Sequence, residues 1–202
     1  MTRIKTWLQS EVPEMLEDLN PPLTDQENEF LVEEGIVLSA ELLQLYRLHN
    51  GQAGKTSSIF GGYEFMDCWL IIQEHTMATD FSSDKTMDLY VQSFEGDKIV
   101  KVFPHPGRIA FAGPGGTYLA VDLAPASKGI SGQVINCGRD DQVMYVLADS
   151  LGEFLTLYAD MLESGVIEVI NDPDLGNRLD SPHHDNLISL FLAWKSKGSA
   201  AS

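Results

Sequence analysis

Apolar residues recur at helical intervals from the first turn. Ile4, Trp7, Leu8, Met15, Leu16 and Leu19 predict a helical N-terminal stretch, with Pro13 as an interruption or a fresh start. Asn20-Pro21-Pro22 stops it. Thr24 followed by Glu27 is a capping box, which starts a second helix carrying Phe30 and Leu31 and ending near Gly35. Ser39 caps a third helix with Leu42, Leu43, Leu45, Tyr46 and Leu48, and His49-Asn50-Gly51 ends it. Trp69–Ile72 suits a short buried helix. Ser58–Phe60 and Tyr63–Phe65 flank Gly61-Gly62 as a candidate hairpin, and Ala78–Asp88 reads as a polar loop or part of a helix.

The period then changes from helical to alternating. Lys98–Phe103 reads as a strand, followed by Ile109–Ala112, the turn Gly113–Gly116, and the strands Thr117–Leu123, Gln133–Asn136 and Gln142–Val146. Leu151, Phe154, Leu155, Tyr158 and Leu162 restore the helical spacing, up to Ser164-Gly165. After Asn171 comes a polar linker with two prolines. A last amphipathic helix over Asp185–Lys195 carries Leu187, Leu190, Phe191 and Trp194. Helices, then antiparallel strands, then helices, without βαβ alternation, predict an α+β fold with a central antiparallel sheet. The domain spans 1–170, with 171–202 as linker and C-terminal helix, which either docks on its own domain or mediates a dimer contact.

Charge narrows the function classes. Thirty acidic residues against 13 basic ones give a formal net charge of −17. Phosphate backbones and anionic membrane surfaces need clustered Lys and Arg, so direct nucleic-acid and membrane binding are not expected. A basic partner protein fits, and so does a charge that serves only solubility. The two cysteines, Cys68 and Cys137, lie in apolar segments and are expected to be reduced and buried. Met1–Ser10 does not read as a signal peptide, and no apolar run approaches the roughly 20 residues of a membrane span, so the cytoplasm is the expected compartment.

Candidate chemistry is sparse. No phosphate loop or G-x-S-x-G elbow occurs, and no cofactor is expected. His183-His184-Asp185 lacks further ligands at metal spacing, so no metal is expected either. His75 and His105 are isolated. Asp122 sits inside an apolar strand. It is either a general base or, the favoured reading, a carboxylate accepting N–H bonds from a nearby turn. No catalytic residue is assigned.

Two segments together carry a resemblance. One is Leu42-Leu43-Gln44-Leu45-Tyr46-Arg47-Leu48-His49-Asn50-Gly51-Gln52, preceded by Glu33–Ser39. The other is Arg108–Pro125, with Gly113-Pro114-Gly115-Gly116-Thr117-Tyr118 and Leu119-Ala120-Val121-Asp122-Leu123, leading into Gly132-Gln133-Val134. Over roughly Trp7 to Gly165 the chain resembles the SUKH superfamily of the Smi/Knr type. Departures include Leu38-Ser39 for the usual Leu-Pro, Arg108-Ile109-Ala110 for the usual Trp-x-Pro, Gly113 for an acidic residue and Thr117 for Asn. The resemblance implies a non-catalytic protein-binding domain. Its bacterial members look like immunity proteins against secreted toxins of nuclease or deaminase class, and its fungal members like scaffold-like regulators of cell-wall assembly and stress signalling.

The leading expectation is an immunity-type inhibitor of a cognate, basic toxin. A regulatory scaffold is the alternative, and a small enzyme using Asp122 with a histidine ranks third. The partner is a toxin or another protein, and the chain is a monomer or homodimer. The expected partner-facing surface comprises Asn50, Gly51, Gln52, Trp69, Gly115, Gly116, Thr117, Tyr118 and Asp122. Against it stands the reading that these glycines and Asp122 only build turns.

Overall fold

A computed structural model describes residues 1–82, 92–93, 95–113, 115–141, 143–173 and 176–199. The N-terminal helical stretch is split at its proline: α1 is Thr2–Glu11 and α2 is Pro13–Glu17. Helix α3 (Asp25–Glu33) starts at the expected capping box. Thr24 Oγ1 accepts from Glu27 N, and the Glu27 carboxylate accepts from Thr24 N. Ser39 caps α4 (Ala40–Tyr46) by accepting from Leu42 N.

Helix α5 (Cys68–Ser82) starts at Asp67, whose Oδ1 accepts from Leu70 N at 2.9 Å. It runs well beyond the short helix expected at Trp69–Ile72. Its exposed positions include Trp69, Gln73, Thr76, Met77 and Asp80, so the polar residues that hid it from the sequence reading form its solvent side. The part of the expected Ala78–Asp88 loop beyond Ser82 lies outside the described residues. Phe60 and Tyr63 meet in an isolated bridge around Gly61-Gly62.

The sheet is formed by β2 (Arg108–Ala112), β3 (Tyr118–Asp122), β4 (Gln133–Cys137) and β6 (Val146–Ala148), in that spatial order, all antiparallel. The first three fall within a residue of the strands read from alternation. The fourth expected strand divides into β5 (Val143–Met144), paired in parallel with β1 (Gln92–Ser93), and β6; Gln142 lies outside the described residues. Lys98–Phe103 is not a strand. Its carbonyls at Val100 and Val102 accept from the guanidinium of Arg108, so they are not available to a sheet neighbour.

Helix α6 (Leu151–Glu163) lays Leu151, Phe154, Tyr158 and Leu162 into the core. There Phe60 is ringed by Phe65, Phe111, Phe154 and Tyr158 at centroid distances of 5.5–6.0 Å. The buried phenols are paired: Tyr46 donates to Met66 O and Tyr158 to Ile59 O, each at 2.7 Å. The segment read as a polar linker contributes β8 (Gly176–Asp180), which pairs with β7 (Glu168–Asp172). The facing pair Val169 and Leu179 points this hairpin at the core, with Leu179 buried. Helix α7 (Leu187–Ser199) covers the β6 side. Phe191 stacks on Phe154 at 4.7 Å, and Lys195 Nζ donates to Val146 O at 2.9 Å. No helix of the described residues is long and apolar enough to cross a membrane.

Candidate functional site

The residues singled out from the sequence fall into separate settings. The first is the chain crossing at Asn50-Gly51-Gln52, directly after α4. Asn50 is buried and tethers the start of α5: its Oδ1 accepts from Cys68 N at 2.9 Å, and its Nδ2 donates to Glu27 Oε1 at 3.2 Å and lies 3.3 Å from Cys68 Sγ. Gly51 has φ +73°, and a Cβ there would stand 2.4 Å from Asp67 N. Gln52, also buried, accepts from Ile59 N and Phe65 N and donates to Asp18 Oδ2 and Ser57 O.

Asp18, which the sequence reading passed over, completes this setting. Its carboxylate accepts from the backbone N–H groups of Lys55 and Thr56 and from the Thr56 hydroxyl. One carboxylate thus supplies the acceptors that a loop of turn-forming residues lacks. The signal is not local, since Asp18 and its loop lie more than thirty residues apart. The side chains of Asn50 and Gln52 are spent on joining α2, α3, α5 and the 53–59 loop.

The second setting surrounds Asp122, which is fully buried. Oδ1 accepts from Ala124 N at 3.2 Å and Oδ2 from Gln133 Nε2 at 3.1 Å, while Arg108 Nε stands 4.0 Å away. Gln133 cannot turn its amide over, because Nε2 also donates to Lys98 O and Oε1 accepts from Ile130 N. Arg108 is buried too and holds the 98–103 segment through Val100 O and Val102 O. This network ties the ends of β2, β3 and β4 to their connecting loops. It is the arrangement of a carboxylate that builds a turn. His105 turns its Nδ1 to Gly107 N, and burial lowers its pKa.

The third setting is the Gly115–Tyr118 segment, packed against the turn between β4 and β5. Gly115 is exposed, Gly116 buried and Thr117 half-buried. Gly116 has φ +130°, its carbonyl accepts from Asp140 N, and a Cβ would collide with the Asp140 carboxylate. Tyr118 is nearly buried and donates to Glu74 Oε2 at 2.7 Å. Burial first, and Glu74 second, push its phenol up to about 12.

Beside this turn, Asp141 Oδ1 accepts from Asn136 Nδ2 at 3.0 Å, while its Oδ2 is buried without a partner. Burial, with repulsion from Asp140 added, pushes this carboxyl up to about 6 against the opposing pull of the Asn136 bond. A raised carboxyl pKa means that the folded state holds the proton more tightly than the unfolded one. The resulting stability is fully present below the ordinary carboxylate range near 4 and is lost as pH rises through about 6. Asp141→Asn keeps the acceptor for Asn136 and removes the buried negative charge. After discounting for partial exposure, we expect it to stabilise the fold by roughly 1 kcal/mol at pH 8 and by nothing at pH 4. Thermal melts of both proteins at the two pH values read this directly, and an equal gap at both would contradict it.

Trp69 directly follows Cys68, which Asn50 tethers, but its ring takes no part in that network. It is 58% exposed and lies against Phe30 of α3, with ring centroids 5.1 Å apart. Trp69 and Glu74, the residue that holds Tyr118, are five positions apart on α5, which separates them by about 140° around the helix. The structure therefore does not bring the expected surface onto one face. Of its members only Trp69 and Gly115 are exposed. Both cysteines are buried free thiols, with pKa values raised chiefly by burial, Cys137 to about 12. Among the described residues no group of three His, Cys, Asp or Glu side chains is placed to hold a metal ion, and His184 Nδ1 meets Ser181 Oγ at 3.0 Å.

A sequence model of the SMI1/KNR4 family (SUKH-1) matches residues 23–157, two thirds of the chain, covering α3 through the first half of α6. The chain belongs to the SMI1/KNR4 family. Similar proteins include KNR4/SMI1 homolog 2 of Debaryomyces hansenii, 28% identical over 226 aligned residues that take in 91% of this chain and 38% of that protein. The glucan synthesis regulatory protein of Neurospora crassa is 28% identical over 81% of this chain and 38% of its own length. The cell wall assembly regulator SMI1 of Saccharomyces cerevisiae is 34% identical over 41% of this chain and 17% of its own. The chain thus spans less than two fifths of the length of these family members. The Debaryomyces alignment reaches beyond the family match at both ends, so its likeness extends past α6 and ahead of α3.

Proposed function

We propose that this chain is a non-catalytic, protein-binding regulatory domain that acts in cell-wall assembly. The observation that carries the reading is the likeness, over 91% and 81% of the chain, to a SMI1/KNR4 homolog and to a protein named for regulating glucan synthesis. Those names favour the scaffold alternative over the immunity reading. The site geometry is in keeping with binding: Asp122 and Asn50 are engaged in structural bonds, while Trp69 is held open to solvent on Phe30. As part of this reading the domain works in the cytoplasm, where thiols stay reduced.

Loss of the gene should change the β-glucan content of the wall and sensitise cells to a wall-binding dye, and restoring the gene should reverse both. Unchanged walls, together with protection of the same cells from one co-encoded toxin, would replace regulation with immunity.

A further inference from the structure

Helices α3 and α5 pack side by side and share an outward face whose centre is aromatic and whose own charged residues are acidic, with Arg47 at the end of α4 paired to Asp25 at the first turn of α3. Trp69 is 58% exposed and backed by the half-buried ring of Phe30 at 5.1 Å. Neither Asp25–Glu33 nor Cys68–Ser82 contains a Lys or Arg. Glu33 and Glu34 follow Phe30 at i+3 and i+4, the positions that share its side of the helix, and both are exposed. Asp67 precedes α5 and caps its first turn by accepting from Leu70 N. A Trp ring held open by a second aromatic costs solvent contact in the free protein, and an indole face attracts cations.

We propose that this face docks an arginine-bearing segment of a partner protein, with a guanidinium or apolar side chain seated on Trp69 and neighbouring cations paired with Glu33 and Glu34. The inference rests on the protein-binding reading above and names the class of partner for it. Charge complementarity selects the occupant. A second copy of this chain would bring carboxylates against carboxylates across a two-fold contact, which is repulsive. A cationic segment is attracted at long range and gains hot-spot energy at the indole.

The test uses the full chain and a short synthetic peptide with leucines at helical spacing and arginines flanking them on the same face, compared with the same peptide carrying glutamates in place of the arginines. Calorimetric titration is expected to show binding of the arginine peptide alone, weakening as salt rises. Trp69→Ala and, as a second variant, Trp69→Gln should weaken it by about ten-fold or more with unchanged circular dichroism. Glu33→Gln with Glu34→Gln should weaken it and flatten its salt dependence. Glu11→Gln with Glu17→Gln, the same charge change on α1 and α2, should leave it unaltered.

Equal binding by the wild type and both Trp69 variants would mean diffuse attraction to a negative protein and would overturn the proposal. So would failure of the wild type to bind, or a dimer in sedimentation that Trp69→Ala dissolves. Each of these would leave the regulatory reading standing, because that reading is judged on the wall phenotype.

Discussion

Gly51→Ala is expected to cost more than about 4 kcal/mol of stability, whereas Gly35→Ala should cost only about 1–2 kcal/mol. Both glycines adopt positive φ, +73° and +80°, so the intrinsic cost of an L side chain in the left-handed region is the same for each, about 1–2 kcal/mol. The difference is space. A Cβ on Gly35 meets nothing within 4 Å. A Cβ on Gly51 would stand 2.4 Å from Asp67 N, 2.6 Å from Met66 C and 2.7 Å from Asp67 Cα, all backbone.

That backbone cannot retreat freely. Asn50 Oδ1 holds Cys68 N from one side of Gly51, and Gln52 N bonds to Phe65 O on the other. Relief of the clash must break one of these ties, and a loss beyond about 4 kcal/mol follows, a large part of an ordinary stability of about 5–15 kcal/mol. Denaturant midpoints of the two variants measure the contrast. Similar midpoints would show that the crossing is looser than described.

The second large effect concerns Asp122. Removing one member of a buried charged pair leaves the other unpaired, so Asp122→Ala should cost about 3–5 kcal/mol. Asp122→Asn, a small change in shape, is expected to cost nearly as much, roughly 3 kcal/mol. Its new N–H₂ would face Gln133 Nε2, itself a donor fixed by Lys98 O and by the acceptance of Ile130 N. Combining Asp122→Leu with Arg108→Met should recover part of the loss, because no charge is then left buried. Urea melts decide it. A harmless Asp122→Asn would contradict the network and reopen the question of what the carboxylate is for.

What could be read from the sequence was mostly local. Thr24 and Glu27 are three residues apart, and their capping box is present with both of its bonds. The strands around the glycine-rich turn were visible as short, bounded apolar runs, and β3 and β4 are buried at every position. The family resemblance drew on the second of these regions and on the Glu33–Gln52 segment, and the family match covers both.

Long-range dependence hid the rest. Lys98–Phe103 alternates like a strand, yet the guanidinium of Arg108 claims its carbonyls. The Gly176–Asp180 strand carries only one buried residue, Leu179, too little apolar pattern to stand out from a linker. Asn50-Gly51 was legible as a helix stop, but the tether from Asn50 to Cys68 spans eighteen residues and leaves no local mark. The sequence puts Trp69 in a short buried helix and on the partner-facing surface, and the structure leaves it 58% exposed. Its setting depends on Phe30, thirty-nine positions earlier on another helix, and no periodicity links the two.

The central claim is that this domain regulates by holding other proteins. Its most direct test is cross-linking of the chain in its own cells, with cross-linked residues and partners identified by mass spectrometry. The account predicts links from the α3–α5 face to proteins of cell-wall synthesis or its signalling, and loss of those links in Trp69→Ala. Links to a single secreted toxin, or a chain that remains unlinked while its walls remain normal, would contradict it.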